Sequence, residues 1–171
     1  MSAGWPAGRV ACFTGHRPAK LGGYDPRRPT RQRVRRALGV AIDQAAERGF
    51  RVFISGMALG VDTDAAELVL ERGLTLIAAV PFPGQEGRWP PDARAEYRRL
   101  LARAHEVVTV SPGPYSARLM QVRNVWMADR AELVIAVWNG EEDGGTANMV
   151  RYCRGKGLPV WRINPAGTER G

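Results

Sequence analysis

Cysteine and histidine are nearly missing, with two of each in 171 residues. Cys12 and Cys153 lie far apart without a Cys-x-x-Cys spacing, and His16 and His105 are isolated from any ligand set. Neither a disulfide framework nor a metal site is expected. Lysine is equally scarce, Lys20 and Lys156 standing against 23 arginines. That bias follows from a GC-rich genome as readily as from bidentate recognition of phosphate. No apolar run approaches the ~18 residues of a membrane helix. The first nine residues carry no apolar core of a secretory signal, so a cytoplasmic location with no membrane partner is expected. Internal repeats and low-complexity segments are absent as well.

What remains is ordinary for a globular protein: 44% hydrophobic and 25% charged residues. The length predicts a single domain spanning 1–171, with a core at about 10–163 and short flexible termini. The net charge of +8 is uneven. Residues 1–51 hold 11 basic and 3 acidic side chains, while the rest of the chain holds 14 of each. The excess is densest at Arg27, Arg28, Arg31, Arg33, Arg35 and Arg36. Such a block suggests an anionic partner: nucleic acid, a membrane surface or a phosphorylated small molecule.

Short apolar runs alternate with helical patterns. Strands are expected at 10–14, 51–55, 74–80, 106–110, 132–138 and 158–163. The first helix follows from Val34, Ala37, Leu38, Ala41, Ile42 and Ala45, which repeat at helical spacing. Thr30 is its expected cap and Gly49 its stop. Further helices are expected at 59–72, after Asp92, at 116–129 and at 146–154. Alternation with buried-looking strands predicts an α/β fold: a Rossmann-like three-layer αβα sandwich with a mostly parallel sheet. Ligands of such folds bind at the carboxyl ends of the strands, near the topological switch point. The loops to inspect are therefore 14–30, 55–60, 81–91, 111–115 and 139–146.

The first loop begins Gly15-His16-Arg17. Glycine admits close approach of a ligand, and Arg17 offers a planar fork for phosphate; a plain strand-end turn is the alternative. The second loop, Ser55-Gly56-Met57-Ala58-Leu59-Gly60-Val61-Asp62, runs from a strand into a helix. Amides at a helix start attract anions, but a packing turn would look the same. Neither G-x-G-x-x-G nor a P-loop is present. Asp62 is either an early-helix acid or an acceptor for ligand hydroxyls. In the third loop Gly144, Gly145 and Thr146 can aim N–H groups at phosphate, after Asn139 and three acids that would repel it. In the fourth, Gln85 and Trp89 could read and stack a base, or simply pack. Arg123 and Asn124 are polar exceptions on a helix whose Trp126 suits a core or a homodimer face.

Taken together, Thr14–Pro18, residues 54–62, Met120–Asn124 with Trp126-Met127, and Gly144–Asn148 resemble the YpsA-like branch of the SLOG superfamily. The resemblance covers about residues 10–163. It implies a Rossmann-like domain binding nucleotides or nucleotide-derived small molecules, proposed as ligand sensors in bacterial and phage systems. Two relatives set the alternatives. LONELY GUY phosphoribohydrolases carry a P-G-G-x-G-T-x-x-E signature; laid on Gly145-Thr146, it puts Met149 where the glutamate would be, and methionine cannot act as acid or base. Asp62, Asp64, Glu67 or Asp129 would have to replace it. The DNA-processing protein A resembles Ser55–Asp62 and implies single-stranded DNA binding. The leading expectation is a nucleotide-like ligand, with no other cofactor and no metal. Gly15, His16, Arg17, Ser55, Gly56, Met57, Ala58, Gly60, Asp62, Gln85, Trp89, Arg123, Asn139, Gly144, Gly145 and Thr146 are its candidate contacts. No catalytic residue is assigned, a homodimer is one option, and nucleic acid is the less favoured partner.

Overall fold

A computed structural model describes residues 4–167; the flexible ends expected from the sequence fall on termini that reach beyond the described residues. The strands are β1 (Arg9–Gly15), β2 (Phe50–Ser55), β3 (Thr75–Val80), β4 (Glu106–Thr109), β5 (Leu133–Val137) and β6 (Val160–Ile163). Between them run α1 (Pro29–Glu47), α2 (Val61–Glu71), α3 (Pro91–Arg103), α4 (Ala117–Asp129) and α5 (Gly145–Gly155). All six strands pair in parallel, in the order β4-β3-β2-β1-β5-β6.

The period-two alternation of the strands sorts side chains into two cores. Ala11, Phe13, Phe53, Leu76, Ile135 and Val137 face one core with residues of α1, α2 and α3. Cys12, Ile54, Ile77, Ala79 and Val134 face the other with residues of α4 and α5. Strands buried on both faces explain why β5 reads as an unbroken apolar run. The α1 stripe expected from spacing is buried at Val34, Leu38, Ala41, Ile42 and Ala45. Both cysteines are free and buried in the α4/α5 core, and burial pushes the Cys153 thiol up to about 11.

Helix starts differ from the sequence reading. α1 begins at Pro29 behind Arg28, not behind a Thr30 cap, and α3 begins at Pro91 rather than behind Asp92. In both, proline occupies the first helical position, where its missing N–H costs nothing. A 3-10 turn, Pro18–Leu21, also interrupts the long first loop. Its Leu21 is fully buried, which pins that loop to the α1 side.

Half of the basic block is ion-paired within the fold. Arg31 donates two hydrogen bonds to the Asp64 carboxylate at 3.0 and 3.1 Å. Arg35 pairs with Asp64, Glu67 and Glu71, and Arg27 with Asp25. Arg33 donates to the carbonyl of Pro165. Arg31 and Arg35 thus fasten α1 to α2, while Arg28 and Arg36 have no ion pair among the described residues.

Candidate functional site

The chain builds β1 to β4 outward in one direction, then α4 carries it back across the sheet to set β5 on the other side of β1. Two loops consequently diverge at the carboxyl ends of β1 and β5, where Gly15 lies beside Val137. A cleft of about 540 Å³ opens there. Its walls include Gly15, His16, Arg17, Ala58, Asp62, Arg123, Gly144, Gly145 and Thr146 from the sequence reading. They also include Lys20, Tyr115, Gln121, Asn124, Asp143 and Asn148.

Arg123, from α4, forms part of the floor and is only 4% exposed. Its Nη1 donates to the carbonyls of Gly56 and Ala79, at the ends of β2 and β3, and its Nε donates to Asn124 Oδ1 at 3.2 Å. Among the described residues no carboxylate lies within 4.0 Å of it, and no hydrogen bond is made by its Nη2. A buried cation held only by neutral acceptors is costly unless an anion joins it. Burial lowers its affinity for its proton, and Asp62 opposes that shift.

Asp62 stands nearby on the first turn of α2. Its Oδ2 accepts the Ala58 N–H at 3.2 Å, whereas its Oδ1 is buried with no partner. Burial pushes the carboxyl above its ordinary range, against the pull of Arg123, the Ala58 N–H and Arg17. Arg17 itself is exposed on the cleft wall.

The two glycine-rich turns differ in what they leave free. In the β2–α2 turn, Met57 N–H donates to Ser55 Oγ, Ala58 N–H to Asp62, Gly60 N–H to Thr63 Oγ1 and Val61 N–H to the His16 carbonyl. Ser55 Oγ in turn donates to the Asp62 carbonyl. Four of that turn's backbone donors are thus used internally. Its glycines serve packing: a Cβ on Gly56 would lie 2.5 to 2.9 Å from the Arg123 guanidinium. A Cβ on Gly60, whose φ is +110°, would meet the His16 carbonyl at 3.0 Å. Gly15 likewise lets Val61 press against the strand end. The start of α5 is open instead. Gly144 supplies no side-chain cap, and no atom lies within 4 Å of a Cβ on Gly144 or Gly145. The first amides of α5 lack intrahelical acceptors and present the positive end of the dipole.

His16 joins the two diverging loops. Its Nε2 accepts the Asn139 N–H at 3.0 Å, so the ring proton sits on Nδ1. Burial and Lys20 lower its pKa, with Glu141 and Asn139 opposing. Lys20 pairs with Glu141 across the same gap.

Several candidates fall outside the lining. Gln85 donates to the carbonyls of Gly56 and Met57 and to the Tyr97 hydroxyl, tying its loop to the β2–α2 turn. Trp89 packs edge-on against Tyr97, with centroids 5.1 Å apart. Asn139 contributes through its backbone to His16. Ser55, Gly56, Met57 and Gly60 lie behind the wall. An exposed aromatic that does border the cleft is Tyr115, 67% exposed and edge-on to Phe82. Only its place in a strand-end loop hinted at it. Trp126 packs within the chain, against Trp5 and under Arg130. Of the four acids considered as replacements at Met149, three are paired elsewhere: Asp64 with Arg31, Glu67 with Arg35 and Arg99, Asp129 with Lys156. Asp62 alone of the four lines the cleft, and Met149 is fully buried in the α4/α5 core.

A larger cavity, about 830 Å³, lies over α1, α2 and α3. Many of its charged groups, including Arg31, Arg35, Asp64 and Glu67, already satisfy one another. Among the described residues no cluster of three metal-ligating side chains occurs, and no helix is long and apolar enough to cross a membrane.

The family model described as the YspA SLOG family matches residues 11–159. An uncharacterized SPbeta prophage-derived protein, YoqJ, of Bacillus subtilis is 32% identical over 157 residues, covering 80% of this chain and 91% of that protein. A UPF0398 protein of Bacillus cereus is 30% identical over 156 residues, covering 87% and 84%. Among solved structures, DNA processing protein A from Streptococcus pneumoniae superposes with a TM-score of 0.65 at 19% identity, over 91% of this chain. The chain spans only 50% of that protein. The Helicobacter pylori protein of the same name, described for its single-stranded DNA binding mode, gives a TM-score of 0.61 at 18% identity, with coverage of 89% and 63%. These structural likenesses concern the fold.

Proposed function

This chain belongs to the YspA SLOG family, and from that premise we propose that it binds a nucleotide or nucleotide-derived phosphorylated small molecule in the cleft between β1 and β5. The observation that carries the reading is Arg123, a buried cation on the cleft floor with no carboxylate within 4.0 Å among the described residues. The open amides at the start of α5 and the exposed Arg17 complete a set of donors for phosphate. Lys20 and Asp143 at the rim bear opposite charges, so the anion's preference lies deep in the cleft. A sensor or ligand-processing role fits such a site. For an N-glycosidase, the alternative chemistry, Asp62 is the buried acid available.

Thermal denaturation against nucleoside mono-, di- and triphosphates, NAD, ADP-ribose and cyclic nucleotides tests this reading. A ligand at a hundred times its Kd adds about 2.7 kcal/mol to stability, so a clear rise in Tm is expected for at least one. The rise should disappear in Arg17→Ala combined with Arg123→Met. No shift across the panel would overturn the reading.

Single-stranded DNA is the second reading, favoured by the structural likeness to the Helicobacter pylori DNA processing protein A. Against it stand the ion pairs that occupy Arg27, Arg31 and Arg35. DNA binding would show a steep loss of affinity with salt.

A further inference from the structure

We propose that Asp62 Oδ1 accepts a hydrogen bond from a ribose hydroxyl, so that the cleft selects ribonucleotides over their deoxy counterparts. The inference rests on the nucleotide reading and goes further by naming the part of the ligand that Asp62 meets. Three observations carry it.

Asp62 is 6% exposed, its Oδ2 is engaged by the Ala58 N–H, and its Oδ1 has no partner while the residue lines the cleft. Buried acceptors are almost always satisfied, and leaving a charged one bare is costly. For the carboxylate ionised beside Arg123 and Arg17, the missing partner is therefore a donor. A phosphate dianion has no proton to donate, and it would be repelled by the carboxylate.

The acceptor also sits close to the phosphate anchor. Asp62 interacts electrostatically with both Arg123 and Arg17. In a nucleotide the donors nearest the phosphate are the sugar hydroxyls, with the base one ring further out. Tyr115, on a different wall, is exposed where a base could stack. A nucleotide in this cleft would then set its phosphate at Arg123, its sugar at Asp62 and its base toward Tyr115. Interior nucleotides of single-stranded DNA carry no free sugar hydroxyl, so the same acceptor disfavours that ligand.

The test is calorimetric titration with the tightest ribonucleoside phosphate from the panel and with its 2′-deoxy and 3′-deoxy analogues. In the unaltered protein, at least one analogue should bind about tenfold to a hundredfold more weakly, as expected for loss of a hydrogen bond to a charged group. In Asp62→Ala that difference should collapse to less than about threefold while the parent nucleotide still binds. Asp62→Leu, which fills the space without any polar atom, provides the same comparison if the alanine variant does not fold. Equal binding of all three sugars by the unaltered protein overturns the proposal and leaves the nucleotide reading standing; Oδ1 would then be satisfied by a trapped water. Discrimination that survives in both variants overturns it too. Absence of binding by every nucleotide instead refutes the nucleotide reading itself.

Discussion

At Gly56 the missing side chain is a requirement of its neighbour. A methyl group there would displace the Arg123 guanidinium, whose Nη1 also holds the Gly56 carbonyl. Gly56→Ala is therefore expected to weaken phosphate-ligand binding at least tenfold, measured by calorimetry, although the glycine itself does not line the cleft. His16 makes a second residue-scale prediction. Its pKa is lowered in the folded state, first by burial and then by Lys20, so folding favours the neutral ring that accepts the Asn139 N–H. The unfolded chain binds the extra proton first, near pH 6.5. Stability should thus be full above that pH and fall as pH drops toward the depressed folded value. Urea midpoints measured from pH 8 to pH 5 should show this slope, and His16→Gln should flatten it.

Helices α1 and α2 are joined by charge as much as by apolar contact. Arg31 and Asp64 form a buried two-pronged pair, with side chains 6% and 13% exposed. Removing Asp64 strands Arg31, which has no other ion pair among the described residues, at a cost of about 3–5 kcal/mol. Asp64→Ala should lose that much in chemical denaturation while leaving ligand affinity within about twofold, because the pair lies over the α1/α2 cavity rather than in the cleft. These elements also show how far a sequence can be read. Strand and helix positions were legible because apolar spacing reports burial, as at Val34, Leu38 and Ile42. Arg123, Gly144, Gly145 and Thr146 were legible because they stand at loop ends or break an apolar pattern. Pairing partners were not: nothing local to Arg31 announces Asp64, 33 residues away. Gln85 and Trp89 looked like base readers because glutamine and tryptophan have the chemistry, and tertiary contacts with Gly56, Met57 and Tyr97 employ them instead. Tyr115 gave almost no signal, since exposure beside a cleft depends on where α4 crosses the sheet.

At the scale of the whole molecule, strand order determines where a ligand can enter. The return of the chain from β4 to β5 parts two loops beside β1, and Arg17 and Arg123, two arginines without an ion pair among the described residues, lie at that gap. Arg31 and Arg35 of the basic first third hold α1 to α2, and the proposed anion site draws largely on α4 and α5. Hydrogen exchange across the chain, with and without the tightest nucleotide, tests this most directly. Protection is expected at residues 15–17, along the first half of α4 and at 144–148, with α1 unchanged. Protection concentrated instead along α1 and the facing side of α2 and α3 would contradict a binding site at the β1/β5 switch point.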